Sequence, residues 1–85
     1  MPFVYLLRCR DDSLYAGAAK DLAARLREHL RGRASRYTRS RLPVELAWSA
    51  ELPDRTAARR EEARIKALPR AQKLALTRAG PRVRR

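Results

Sequence analysis

Two short apolar segments near the start of the chain, separated by four polar residues, constrain its fold more than any other feature. In residues 2–9, apolar side chains recur at every second position, which is typical of a strand. Arg10-Asp11-Asp12-Ser13 is the only turn signal before the second segment, Leu14 to Ala19. Because Asp and Ser favour turns, this arrangement predicts a β-hairpin.

The length of the hairpin loop decides which side chains share a face. A three-residue loop with Asp12 in the left-handed conformation pairs Leu7 with Tyr15 and Tyr5 with Gly17, which places both tyrosine rings on one face. A two-residue loop would place the two rings on opposite faces. Under the first register, the missing side chain of Gly17 leaves room for the phenol ring and for the close approach of a ligand.

A helix is predicted directly after the hairpin. Asp21 is a suitable N-cap, and apolar residues follow at a spacing of four, so we expect their stripe to face the core. Arg25 and His29 lie about 60° round the helix from this stripe, on one flank. They are either a solvated arginine and a half-buried histidine, or two members of one site. The stripe consists of Leu22, Leu26 and Leu30.

The next segment, residues 31–41, is basic and contains no acidic residue. It lacks an apolar period, so we predict a loop or a short helical turn that binds phosphates. Tyr37 would either stack on a base or pack against the domain and anchor a helix. The predicted phosphate-binding arginines are Arg31, Arg33, Arg36, Arg39 and Arg41.

The second half of the chain predicts a third strand and two helices. Val44, Leu46 and Trp48 alternate with smaller or polar residues after Pro43, as in a strand with one apolar face. A helix over 55–68 would be capped by Asp54 or Thr56, with its apolar positions facing inward. A shorter helix over 70–76 and a disordered basic tail, residues 78–85, would complete one domain over residues 1–77.

The helix over 55–68 carries two adjacent acidic residues. Glu61 and Glu62 fall on either side of its inward stripe, so one carboxylate should point toward the edge of the core. The helical period alone does not say which.

Charge limits the partners of the chain. Twenty-one basic residues stand against nine acidic ones in 85 residues, a net charge of +12, so the expected partner is a polyanion. Nucleic acid is favoured over an anionic membrane, because no stretch combines a basic face with a large apolar one. No apolar run approaches the roughly 20 residues that cross a bilayer, and no signal peptide is evident, so a cytoplasmic location is expected. The lone Cys9 fits a small buried side chain.

These residues resemble the GIY-YIG nuclease superfamily, in its small, stand-alone, single-domain branch, over residues 3–76. Phe3-Val4-Tyr5 stands at the first signature tripeptide and Tyr15-Ala16-Gly17 at the second. The resemblance implies an α+β fold, with a three-stranded antiparallel sheet flanked by helices. It continues through Asp21-Leu22, Arg25-Leu26, His29, Tyr37-Thr38-Arg39, Pro43-Val44, Asp54-Arg55, Glu62, Ile65-Lys66 and residues 70–73.

The resemblance implies a metal-dependent endonuclease with one ion, Mg²⁺ or Mn²⁺, held by Glu62. Arg25 would donate to the phosphate, and Tyr5 would be the general base once nearby cations lower its pKa. Tyr15 would hydrogen-bond the attacking water or a phosphate oxygen, and His29 would orient the network or assist proton transfer. The implied catalytic set is Tyr5, Tyr15, Arg25, His29 and Glu62.

The chain departs from the family pattern in several respects, of which Phe3 and Ala16 in the signature tripeptides should do little damage. Ala18-Ala19 stands where relatives usually carry Ile-Thr, so a hydroxyl contact there is absent. The substrate-recognition domain of larger superfamily members has no counterpart, so we expect cleavage directed by structure and not by sequence. We expect a monomer acting on DNA in preference to RNA, with a protein partner as one source of specificity and association with the nucleoid as one location. The alternative is a non-catalytic basic module that binds nucleic acid.

Overall fold

The computed structural model describes residues 1–78, which form an antiparallel sheet of three strands flanked by four helices. The first strand lies in the centre, between the second and the third. The predicted α+β class and strand count are confirmed. The elements are β1 (Phe3–Arg8), β2 (Leu14–Ala19), α1 (Leu22–Leu30), α2 (Arg36–Arg39), β3 (Glu45–Glu51), α3 (Arg55–Ala67) and α4 (Arg70–Arg78).

The hairpin has the three-residue loop, the first of the two alternatives. Asp12 has a φ of 67°, and the Cys9 N–H donates to the Ser13 carbonyl at 2.9 Å. Tyr5 is therefore paired with Gly17, and both tyrosines of the hairpin lie on one face. A Cβ on Gly17 would lie 2.5 Å from the Tyr5 hydroxyl oxygen, so only glycine leaves the phenol its position.

Polar side chains cap three of the helices, two of them at residues that the sequence predicts. The Asp21 carboxylate accepts from the Ala24 N–H at 3.0 Å, and the Asp54 carboxylate accepts from the Ala57 N–H at 2.8 Å. Asp54 is thus the cap of α3 among the two candidates. The Ser35 hydroxyl accepts from the first N–H groups of α2. Each cap satisfies backbone donors that would otherwise lack a partner.

The sheet separates two clusters of buried side chains, one on each face. The α3 face is the one covered by α3 and α4, and the α1 face is the one covered by α1 and α2. β1 supplies both, because successive side chains of a strand point to opposite faces. The α3 face buries Val4, Leu6, Ala16, Trp48, Ala58 and Ile65. The α1 face buries Tyr5, Leu7, Cys9, Ala19 and Val44.

β3 corrects the predicted single apolar face of the third strand. Leu6 is paired with Trp48, but Leu7 is paired with Leu46, so Ala47 is an extra residue in β3 at this point. The irregularity places Trp48 on the α3 face and Leu46 on the α1 face, although an uninterrupted strand would place them together. The bulge therefore supplies apolar side chains to both clusters.

The predicted leucine stripe of α1 is wrong at its last member. Leu30 is 49% exposed, whereas its neighbour His29 is 1% exposed. Adjacent helix positions are about 100° apart, so burial of the imidazole turns Leu30 outward.

α4 runs two residues beyond its predicted end, to Arg78, which was expected to begin the basic tail. The remaining residues of that tail, 79–85, lie outside the described part of the chain. Within residues 1–78, no helix combines the length and the apolar character needed to span a bilayer.

Candidate active site

Three buried side chains form a hydrogen-bonded chain on the α1 face. The Tyr5 hydroxyl oxygen lies 2.8 Å from His29 Nε2, and His29 Nδ1 lies 2.8 Å from Thr38 Oγ1. The three residues come from β1, α1 and α2, and each is at most 1% exposed. Three elements of the domain therefore meet at one imidazole ring.

The contacts of Thr38 assign the positions of the protons in the hydrogen bonds that join Tyr5, His29 and Thr38. Thr38 Oγ1 donates to the Ser35 carbonyl at 3.3 Å, so its oxygen is left to accept from His29 Nδ1–H. A neutral imidazole carries one N–H, and its Nε2 must then accept from the Tyr5 hydroxyl. The hydrogen bonds therefore run in one direction, from Tyr5 through His29 and Thr38 to the backbone.

Burial keeps both titratable members of the chain neutral. Desolvation, followed by the charge of Tyr15, raises the pKa of Tyr5 to about 12, although the Arg25 guanidinium lowers it by its charge and a hydrogen bond. Arg25 therefore does not by itself bring the pKa of Tyr5 below its usual value, as the predicted role of a general base requires. Desolvation, followed by the charge of Arg25, lowers the pKa of His29 below 6.5. At neutral pH the imidazole is a free base beside a protonated phenol.

Tyr15 and Tyr37 extend the cluster toward the surface. The Tyr15 ring meets the His29 ring edge-on at 5.3 Å and stacks with the Tyr37 ring at 5.8 Å between centroids. The Arg41 guanidinium lies 3.9 Å from the centroid of the Tyr37 ring. Tyr37 therefore packs against Tyr15 while 37% of it is exposed, and stacking on a base stays a prediction.

Arg41 also joins the hairpin loop to α2. Its Nε donates to the Asp11 carboxylate at 3.0 Å and its Nη1 donates to the Tyr37 carbonyl at 3.0 Å. Arg41 is thus occupied within the domain. Among the other predicted phosphate-binding arginines, Arg31 forms only a long ion pair with Glu28, at 3.8 Å. Arg33, Arg36 and Arg39 are exposed.

A cleft of about 550 Å³ at the end of β2 brings Arg25 and Glu62 together. Ala18 belongs to the cluster of the α3 face and Ala19 to that of the α1 face, and both line this cleft. Their small side chains allow α3 and α1 to share one opening at the edge of the sheet. The charge of Glu62 also acts on Tyr5, since it contributes to the raised pKa of that phenol.

The two adjacent glutamates of α3 differ in their surroundings. Nε and Nη2 of Arg64 each donate to the Glu61 carboxylate at 2.7 Å, which lowers the pKa of that carboxyl group. Glu62 lines the cleft and pairs with Lys66 at 2.9 Å. Glu62 and Arg25 therefore line the same cleft. A cation that binds the Glu62 carboxylate would have to compete with Lys66.

The donor set around Glu62 sets limits on any metal ion. Within residues 1–78, no three His, Cys, Asp or Glu side chains are grouped in a way that could hold one. Mg²⁺ is commonly bound by only one or two carboxylates and substrate phosphates while it keeps several waters. A lone carboxylate on a cleft lined by basic side chains fits this mode, with Lys66 to be displaced.

Sequence reasoning named Tyr5, Tyr15, Arg25, His29 and Glu62, and it missed the role of Thr38. Thr38 was noted only as part of the Tyr37-Thr38-Arg39 resemblance. Its signal was weak, because a threonine in a basic loop is usually a surface residue. The available clue was Ser35 three residues earlier, which caps a short helix and so turns Thr38 inward.

Comparisons with known proteins identify this architecture. A model of the GIY-YIG catalytic domain matches residues 1–75. The UPF0213 protein XAC3202 of Xanthomonas axonopodis pv. citri is 51% identical over 79 residues, which cover 93% of this chain and 78% of that protein. The UPF0213 protein OB0043 of Oceanobacillus iheyensis is 46% identical over 74 residues, which cover 87% and 86%.

A solved structure is similar as well. The solution NMR structure of the UPF0213 protein BH0048 from Bacillus halodurans has a TM-score of 0.60 and 35% identity, over 93% of this chain and 85% of that one. The chain belongs to the GIY-YIG family, whose catalytic domain is a nuclease domain, and nucleic acid is its substrate class. Within the family, it is similar to the small UPF0213 proteins.

Proposed function

We propose that the protein is an endonuclease that hydrolyses phosphodiester bonds in DNA with the help of one divalent metal ion. The observation that carries the proposal is the directed hydrogen-bond chain from Tyr5 through His29 to Thr38, buried beside a cleft that contains Arg25 and Glu62. A surface that only binds phosphate needs cations. It does not need a buried phenol aligned with a free imidazole base.

In the proposed reaction, Tyr5 relays a proton and does not ionise beforehand. A phenol whose pKa is raised to about 12 is almost fully protonated at neutral pH, so very little Tyr5 is a phenolate before the reaction begins. As the attacking water loses its proton to the Tyr5 oxygen, the phenol passes its own proton to His29 Nε2. The imidazolium keeps its Nδ1–H on Thr38. The lowered pKa of His29 ensures that Nε2 is free to accept at the start.

Arg25, which also hydrogen-bonds Tyr5, would meet the charge on the phosphate. Arg25 would donate to the non-bridging oxygens, a contact that strengthens as negative charge accumulates in the transition state. The Tyr15 ring contacts the His29 ring and would hold that imidazole in position. The Tyr15 hydroxyl would hydrogen-bond the water or a phosphate oxygen. Glu62 would hold a single Mg²⁺ or Mn²⁺, which polarises the phosphate and stabilises the leaving oxygen.

Substrate choice rests on shape in this proposal. DNA structure, or a protein partner, would select the site. We propose a monomer as the active unit.

The alternative is a non-catalytic module that binds nucleic acid, and the Glu62–Lys66 ion pair is the observation that favours it. A carboxylate neutralised by lysine does not repel phosphate. The two functions differ at the carboxylate, because only catalysis needs it to exchange lysine for a metal ion.

The test compares Glu62→Gln with its neighbour. Glu62→Gln keeps the size of the side chain but removes its charge, so nicking in Mg²⁺ or Mn²⁺ should collapse while binding in EDTA persists or tightens. Glu61→Gln is the control, because that carboxylate is engaged by Arg64. A panel of branched, nicked, single-stranded and duplex DNA, with matching RNA, gives the substrate. Full nicking by the Glu62→Gln protein would remove the metal from the mechanism, and equal losses at both positions would indicate a general charge effect.

A further inference from the structure

The cleft at the end of β2 is more basic than the proposed chemistry requires. Besides Arg25, it is lined by Lys20, Arg55 and Arg59, against the single carboxylate of Glu62. All three additional cations are exposed. No ion-pair partner is found for any of them within residues 1–78. Unpaired cations gathered at one opening repel each other, so their arrangement favours an anion.

The helical period places these cations in a row that ends at Glu62. Arg55, Arg59 and Glu62 are at positions i, i+4 and i+7 of α3, which lie along one stripe of a helix. Four residues of helix rise about 6 Å, and the seven from Arg55 to Glu62 rise about 10.5 Å. Phosphates of one strand of duplex DNA advance about 3.4 Å each along the axis, so this stripe spans roughly three of them.

We infer that Lys20, Arg55 and Arg59 form a phosphate-binding surface that holds the nucleic-acid backbone on one side of the bond to be cut. The inference deepens the proposed function, because it takes the Arg25 and Glu62 cleft as the place of cleavage. A phosphate beside Arg25 occupies that place, and the next phosphates along the same strand meet Arg59 and then Arg55. The sequence did not predict a phosphate contact for either arginine, because the whole of β3 separates them from the basic segment 31–41.

The surface also completes a path across the domain. Lys20 precedes the first turn of α1, whereas Arg31 and Arg33 follow its last turn. α1 has nine residues and is therefore about 13.5 Å long, with Arg25 between its ends. Cations thus stand at both ends of α1 and at its middle. A single strand laid along this helix would be held on each side of the cleft.

The experiment compares two double variants with the same loss of charge. Arg55→Ala with Arg59→Ala removes two inferred contacts of α3. Arg27→Ala with Arg60→Ala removes one exposed arginine of α1 and one of α3, neither of which lines the cleft. Affinity for a short DNA duplex is measured in EDTA over a range of salt. Circular dichroism confirms that each variant is folded.

The expected result is a change of salt dependence in the first variant alone. Each phosphate contact contributes roughly 0.9 to the steepness of log K against log salt, so losing two contacts should reduce that steepness by about 1.8. Binding at about 0.1 M salt should then be up to roughly 60-fold weaker. The control should keep the wild-type slope. An unchanged slope in the first variant, or equal changes in both, would overturn the inference.

A second measurement locates the contacts on the substrate. A single uncharged methylphosphonate linkage is moved along one strand, and the affinity of each duplex is compared between wild type and the Arg55→Ala, Arg59→Ala variant. The wild-type protein should lose affinity when the uncharged linkage is at either of two neighbouring positions, whereas the variant should lose none there. If both proteins respond to the linkage in the same way at every position, the inferred surface is contradicted. Because both measurements concern binding without metal, a protein that binds in this way but never nicks DNA would refute the proposed function and leave this inference standing.

Discussion

The two faces of the sheet bury their side chains in chemically different ways. The α3 face is filled by hydrocarbon side chains and the Trp48 ring, with Leu6 and Ile65 fully buried. The α1 face buries Tyr5, His29 and Thr38, and no buried side-chain nitrogen or oxygen within residues 1–78 lacks a hydrogen-bond partner. Non-directional burial stabilises the first face, whereas the second depends on the geometry of a few polar groups. We therefore expect substitutions on the α3 face to affect stability, and those on the α1 face to affect the site.

The largest expected effect on stability comes from the α3 face. Ile65→Ala should lower the free energy of unfolding by about 2–5 kcal/mol, because it leaves a cavity where a side chain is completely buried. Ile65→Val is the matched control, with an expected loss of about 0.5–1.5 kcal/mol. Urea unfolding followed by circular dichroism measures both. An alanine variant as stable as wild type would show that this face is not a close-packed core.

The next largest expected effect on stability comes from the α1 face, where Gly17 of β2 is paired with Tyr5 of β1. Gly17→Ala places a Cβ 2.5 Å from the Tyr5 hydroxyl oxygen and 2.6 Å from Cζ, so the phenol must move away from His29. The expected cost is about 1–3 kcal/mol of stability from overpacking, together with loss of nicking.

The control for this substitution is a double-mutant cycle with Tyr5→Ala. Once the ring is absent, Gly17→Ala should cost much less stability than it does in the wild-type background. Equal costs in the two backgrounds would mean that the glycine serves the backbone and not the phenol.

Thr38→Val tests the direction of the hydrogen-bond chain. Valine has the shape of threonine but cannot accept from His29 Nδ1–H, so it should cost about 1–3 kcal/mol and release the tautomer preference. Nitrogen-15 NMR reads the tautomer directly, because His29 is the only histidine of the chain. Thr38→Ser keeps the hydroxyl and should keep the Nδ1–H tautomer. A wild-type protein protonated at Nε2 would reverse the proposed relay.

The smallest effect is a dependence of stability on pH that belongs to the α1 face. The pKa of folded His29 is lowered from 6.5, so below pH 6.5 the unfolded chain binds more protons than the folded one. Stability should therefore be complete above pH 6.5 and decrease as the pH falls from 6.5 through the lowered value. Urea midpoints measured across this window test the sign. Rising stability toward acid would show that the folded protein favours the imidazolium.

The sequence predicts those parts of the fold that depend on neighbouring residues. The register of the hairpin follows from the chemistry of its loop, and Asp21 and Asp54 start their helices because a carboxylate satisfies free N–H groups nearby. The bulge at Ala47 was not predicted, because it arises from the competition of two clusters for the side chains of β3.

In the candidate site, too, the sequence predicts what depends on neighbouring residues and misses what depends on tertiary contacts. Tyr5 and Tyr15 share a face under the three-residue loop, which was one of two alternatives in the sequence and is the one the structure has. Thr38 could not be placed from the sequence, because its bond to His29 joins residues nine positions apart through a helix of four residues. The pKa of Tyr5 was expected to fall, because cations are visible in a sequence and the burial of a phenol is not.

The bulge in β3 has a practical consequence for spectroscopy. The chain has one tryptophan and three tyrosines, and the bulge leaves Trp48 on the α3 face, whereas Tyr5, Tyr15 and Tyr37 all gather on the other side of the sheet. Tryptophan emission therefore monitors one half of the molecule, and the near-ultraviolet dichroism of tyrosine is weighted toward the other. Melting curves recorded at the two wavelengths of one unlabelled sample would coincide if the halves separate together. They would diverge if the tyrosine half loosens first.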